Sequence, residues 1–146
     1  MKIDFRIGDG PKGGLNFVFV PTHEPPGSAC NRSSPEVFHV REQAFLFIEW
    51  TLFDVIPEYR CYGHWGSTWV DLGTWRLIFG RLPALRRALL GNARQDFIIR
   101  HYVSSPGLLP RRFNLHRKAL LDFLDRFEAR ILDLCDRYPF VIIDGI

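Results

Sequence analysis

Arg41-Glu-Gln-Ala-Phe-Leu-Phe-Ile-Glu-Trp-Thr-Leu-Phe-Asp-Val-Ile56 is the stretch on which the fold turns. Phe45, Ile48, Leu52 and Val55 recur at helical spacing. Apolar side chains nevertheless fill most of the circumference, so periodicity admits both a buried helix and a paired strand segment. Pro57 follows directly, and a residue before proline is pushed out of the α region. We therefore read residues 41–56 as a helix ended by that proline, which makes the chain an α+β protein.

Upstream, residues 2–7 alternate, with Ile3, Phe5 and Ile7 on one side, and Leu15-Asn-Phe-Val-Phe-Val20 is a second apolar run. Between them lies Gly8-Asp-Gly-Pro-Lys-Gly-Gly14, a dense turn signal, so the two runs read as a β-hairpin. The glycines formally match G-x-G-x-x-G. A dinucleotide site needs that loop to lead from a strand into a helix, and here a strand is expected to follow. Residues 21–34 read as a loop. Ser34-Pro35-Glu36 can open a helix, with serine as N-cap and proline at the first helical position.

Downstream, residues 59–70 read as one long or bent strand. Tyr59, Cys61, Trp65 and Trp69 would share its core face, and Arg60, Tyr62 and His64 the opposite one. Trp75, Ile78, Phe79, Leu82, Leu85 and Leu89 mark a helix, with Pro83 expected to kink or split it. Residues 96–103 read as a strand. Asn114 is placed to cap a last helix whose apolar stripe is Leu120, Leu124, Phe127, Ile131 and Leu134. Asp122–Arg126 and Asp133–Arg137 would pair along its outer face. Pro139 stops it before a closing strand over residues 140–143. The expected architecture is a single α+β domain spanning residues 1–146: a mainly antiparallel sheet of about five strands with about three helices packed on it.

Composition supports a large core: 47% of residues are hydrophobic, with 13 Phe and 4 Trp among 146. No apolar run is long enough to suggest a membrane span. The opening residues lack the apolar core of a signal peptide, so the cytoplasm is the expected compartment. Cys30, Cys61 and Cys135 are odd in number and widely spaced, which describes reduced thiols and no disulfide framework. Net charge is +3, but it is uneven. Residues 71–112 hold eight arginines and two aspartates, whereas residues 41–70 hold two arginines and four acids.

The chemistry-bearing residues do not fall into a reactive pattern. The five histidines form no H-x-x-x-H pair, and no G-x-S-x-G is present. No catalytic, cofactor-binding or metal-ligating set is expected. A small hydrolase or nuclease using His64 and His101, with Arg100 as phosphate clamp, is one alternative. A nucleic-acid-binding module built on the Arg-rich segment 76–112 is another. The stronger signal is the run Tyr59-Arg-Cys-Tyr-Gly-His-Trp-Gly-Ser-Thr-Trp69, rich in the residue types that dominate protein interfaces. Arg60, Tyr62 and His64 form its exposed strip. Glu58 at its start, with Arg100 and Tyr102 from the next predicted strand, completes the candidate partner-binding set.

From Glu49-Trp50 to Leu89, where the Tyr62-Gly-His-Trp65 strand runs into the helix near Trp75, the chain resembles the immunity proteins of bacterial polymorphic toxins. Those of contact-dependent growth inhibition systems come closest. The resemblance implies tight binding of one cognate toxin domain, with no cofactor and no activity of its own. Many immunity proteins against basic nucleases are acidic, and this chain departs from them. Either the local acids Glu42, Glu49, Asp54 and Glu58 meet a basic toxin, or the Arg-rich segment meets an acidic one.

Overall fold

The computed structural model describes residues 2–10, 14–29, 31–59 and 66–145. Its elements are β1 (Ile7–Gly8), β2 (Asn16–Thr22), β3 (Phe38–Arg41), α1 (Glu42–Val55), β4 (Ser67–Asp71), α2 (Leu72–Leu90), α3 (Gln95–Tyr102), a 3-10 turn (Pro106–Leu108), α4 (Arg117–Cys135) and β5 (Phe140–Gly145). The strands form one antiparallel sheet in the order β1-β3-β2-β5-β4. The α+β class with a five-stranded antiparallel sheet is as the sequence indicated, with four helices in place of three.

β2 explains the strand order. Its sequence is apolar on both faces, and all seven of its residues are buried. Such a strand belongs in the middle of a sheet that is covered on both sides. It pairs β3 on one edge and β5 on the other. The hairpin expected between residues 2–7 and 15–20 is therefore not formed, because β1 pairs β3 instead. β1 is also short. The Asp4 carboxylate accepts from the backbone N–H of Arg6 at 3.0 Å and from its guanidinium, a local bond that competes with strand pairing.

One face of the sheet carries the main core. Phe17, Phe19, Phe38, Val40, Val70, Val141 and Ile143 meet buried residues of the four helices there. Phe127 of α4 sits at the centre. Its ring lies 5.0 Å from Phe19, 6.0 Å from Trp75 and 6.2 Å from Phe79, all edge-on. Edge-to-face rings add to the burial of the rings themselves. α1 is buried around most of its circumference, which is why its periodicity was blurred.

The second face is covered differently. Val18, Val20, Val37 and Ile142 are buried there beside Trp69. The connection between β2 and β3 lies against this side as a strap. The Trp69 indole donates to the Glu24 carbonyl at 3.3 Å, Arg32 pairs with Asp144, and Glu36 pairs with Arg137 at 2.6 Å. Asp144 is 3% exposed and also accepts from the Ser67 hydroxyl at 3.1 Å. Tyr59 and Trp69, expected on one strand face, belong to opposite sides. Tyr59 packs in the helix-side core, and Trp69 lies under the strap.

Four local expectations are corrected. Ser34 opens a turn, not a helix: Val37 N–H donates to its carbonyl at 3.1 Å, and β3 follows. Pro83 does not split α2: it lies at an exposed position inside one helix that runs from Leu72 to Leu90. Asn114 does not cap α4, which starts at Arg117 after His116. Arg126 turns from the Asp122 carboxylate to the carbonyls of Asp122 and Phe5. The Asp133–Arg137 pair does form, at 3.0 Å.

α2 begins on a strong cap. Asp71 Oδ1 accepts from the Thr74 N–H at 2.8 Å. Bonds from the Thr74 backbone and hydroxyl hold the Asp71 carboxyl below the usual carboxylate range. A depressed pKa contributes stability above the unfolded value of about 4, lost as pH falls through the folded value. Asp71→Ala should cost about 0.5–2 kcal/mol at neutral pH. Urea denaturation series should show the gap to the parent chain narrowing below about pH 4.

Candidate functional site

α3 occupies residues read as a strand. Ile98, Ile99 and Val103 gave that stretch its β character, but tertiary anchors decide the outcome. The Gln95 amide donates to the Phe113 carbonyl at 3.1 Å, and its oxygen accepts from the Leu115 N–H at 2.7 Å. Arg117 donates from its guanidinium to the carbonyls of Ala88, Leu89 and Ala93, filling acceptors left open at the end of α2. Ile98 becomes the fully buried contact. Asp96 in the first turn and Arg100 and His101 in the last suit the helix dipole.

The helical geometry re-sorts the side chains. Phe97 and His101, four residues apart, meet at 4.3 Å with their rings tilted at 44° on the outer face. Phe97 is 44% exposed. Tyr102 meets Phe97 at 6.4 Å and Trp50 of α1 at 5.2 Å, both edge-on. On the neighbouring turn, Phe53 lies 5.9 Å from Tyr59. Two aromatic groups, one on α3 and one at the end of α1, thus flank a single buried carboxylate.

That carboxylate is Glu49, 1% exposed. Tyr59 donates its hydroxyl to Oε2 at 2.5 Å, and Ser104 donates its hydroxyl to Oε1 at 2.7 Å. The Ser104 N–H also donates to the Leu46 carbonyl at 3.2 Å. Glu49 therefore ties the turn that carries Glu58 to the C-terminal end of α3. Of the predicted partner-binding residues, Glu58, Arg100 and Tyr102 come from the two segments it joins. Glu58 and Arg100 are exposed, and Tyr102 is half-buried. Arg60, Tyr62 and His64 lie outside the described residues, as do Cys30, Cys61 and Trp65.

Phe97 was not singled out from the sequence, and Glu49 was named there only as one of four acids that could face a basic partner. The i, i+4 pair Phe97–His101 and the flanking Asp96–Arg100 pair were the signals for a helix, masked by the isoleucines. Beside them is a surface cleft of about 430 Å³ lined by Ala93, Arg94, Asp96, Phe97 and Arg100. Arg94 pairs with Asp96 at 3.3 Å across its mouth.

The remaining polar groups are dispersed. His101 lies on α3, His39 on β3, His23 against Tyr138, and His116 before α4. Burial pushes the His39 imidazole pKa down, aided by the charge of Arg32. Burial pushes the Cys135 thiol up to about 11. Among the described residues, no three His, Cys, Asp or Glu side chains are placed to hold a metal ion. Among the same residues, no helix is long and apolar enough to cross a membrane. Within the Arg-rich segment, Arg86 is engaged with Asp125 and Glu128, and Arg81 with Asp54.

Comparison with protein-family models, with curated proteins and with solved structures finds no match.

Removing a donor from Glu49 should expose its role as a tie. Tyr59→Phe should cost about 1–3 kcal/mol by leaving a buried carboxylate oxygen without its hydroxyl. Tyr59→Phe combined with Ser104→Ala should depart from additivity by at least about 0.5 kcal/mol, because both bonds end on one group. Equilibrium urea unfolding of the cycle measures both. Strict additivity would mean that the two segments are held independently.

Proposed function

We propose that this chain acts in the bacterial cytoplasm as an immunity-type binding protein, neutralising one cognate toxin domain by protein–protein contact. The observation that carries the reading is the aromatic face of α3. Phe97 and His101 stand exposed and in contact beside Arg94 and Arg100, with Tyr102 and Trp50 behind them. Large planar side chains with a polar edge lose little conformational entropy on binding and bury much area, and arginine adds directional donors. A solvated helix needs no such face.

The tie at Glu49 supports the same reading. It fixes two surface segments relative to each other through buried bonds, so the surface is organised before any partner arrives. Preorganisation lowers the ordering cost of association. A standard interface buries about 800 Å² on each partner. The end of α1, the turn at Glu58 and α3 together can supply a patch of that order.

The reading predicts protection. Co-expression with a toxin domain encoded beside this chain should restore growth of the poisoned cell, and the two proteins should elute as a one-to-one complex on size exclusion with light scattering. Phe97→Ala should weaken the complex by about 2 kcal/mol or more while leaving the fold intact. Growth arrest unaffected by the chain, or turnover of a substrate by the chain alone, would sink the proposal.

A further inference from the structure

We infer that the partner surface received by α3 is acidic, a conclusion that rests on the binding reading above and sharpens it. Sequence charge counts leave two partners open: a basic one facing the acids of residues 41–58, or an acidic one facing the arginines. The fold treats the two sets of charges differently.

Two of the four acids are buried, and a third is held in an exposed ion pair. Glu49 is buried and holds the Tyr59 and Ser104 hydroxyls. Glu42 is buried at the start of α1. Asp54 pairs with Arg81 of α2 at 3.3 Å. Of the four, Glu58 alone is exposed and makes no ion pair among the described residues. A basic partner would find one isolated carboxylate there.

The arginines near α3 remain at the surface. Arg94, Arg100 and Arg111 are exposed, with Asp96 as the acid of the same stretch; Arg94 pairs with it at 3.3 Å in an exposed pair, and the stretch keeps a net positive charge. Arg94 and Arg100 line the cleft beside Phe97. Guanidinium groups present paired donors that match a carboxylate in plane, and the ring of Phe97 offers an apolar surface between them. The geometry fits a protein segment that brings carboxylates together with an apolar side chain.

One feature favours a protein over a nucleic acid. The basic segment fails to continue as a track, because Arg81 and Arg86 of α2 are already paired with Asp54, Asp125 and Glu128. Nucleic-acid affinity grows with the number of phosphates neutralised, and a broken track neutralises few.

The test is an amide chemical-shift titration of the whole chain with three probes. One is a ten-residue glutamate-rich peptide with a central Phe, one is its lysine-rich counterpart, and one is a fifteen-nucleotide oligothymidine. The acidic peptide should shift residues 94–101 and lose affinity as salt rises. Arg94→Gln with Arg100→Gln should weaken it by roughly tenfold, and Glu24→Gln, exposed in the strap across the sheet, should leave it unchanged. Both changes lie on exposed positions, and circular dichroism checks that α3 persists. Shifts scattered over the surface, stronger binding of the lysine peptide, or tighter binding of the oligonucleotide would each overturn the inference. No toxin enters this experiment, so the two proposals fail separately. Scattered shifts with growth protection intact would remove the acidic partner alone. Localised shifts without protection would remove the immunity role alone.

Discussion

A strand buried on both faces sets the terms for the rest of this molecule. Every residue of β2 is out of solvent, so the sheet must be covered twice. Helices cover one side, where Phe17 and Phe19 join the ring cluster around Phe127. No helix is described on the other side, and the cover there is the strap between β2 and β3. An irregular segment cannot hold a sheet by backbone bonds alone. It is fastened by Arg32 to Asp144, by Glu36 to Arg137 and Tyr138, and by the Trp69 indole to the Glu24 carbonyl. The ion pairs on this side thus have a structural explanation. Their acids and arginines are used up in holding the cover.

The parts of the fold that were legible in the sequence are those where periodicity and burial agree. α2 and α4 carry one-sided apolar stripes, and the residues the spacing marks are buried, with Phe123 of α4 buried beside them. α1 was legible mainly through Pro57, because a helix buried nearly all round has little periodicity to show. The failures share a cause. The segment at residues 95–102 has β-branched residues suited to a strand, but Gln95 and Arg117 tie its N-terminal end to the α4 segment and to the end of α2. The absent hairpin fails in the same way: residues 8–14 carry turn-forming residue types, but β2 already has two neighbours in β3 and β5. Tertiary partners decided both cases, and they leave no mark on a single chain segment.

The candidate site divides along the same line. Arg100 and Tyr102 were placed in the partner-binding set on residue type; in the structure Arg100 is exposed on α3 and Tyr102 is half-buried against Phe97 and Trp50. Their relation to Glu58 was not readable, because it runs through Glu49, a carboxylate that looks like any solvated acid in the sequence. Only the fold brings Tyr59 and Ser104 onto its two oxygens. Once desolvated and bonded in this way, the group ceases to be a surface charge. It becomes a clamp, and removing one donor would leave the other segment anchored to a poorly solvated anion.

Charge counted along a chain therefore misstates charge offered to a partner. By count, residues 41–58 form an acidic region beside a basic one. In the folded chain, burial removes Glu42 and Glu49, and Arg81 cancels Asp54, so the acidic region shrinks to Glu58. The basic region is reduced as well, since Arg86 turns inward to Glu128, but it keeps its exposed members where the aromatic face lies. The exposed remainder near α3 is positive in sign. A net charge of only +3 thus understates the local charge of this surface.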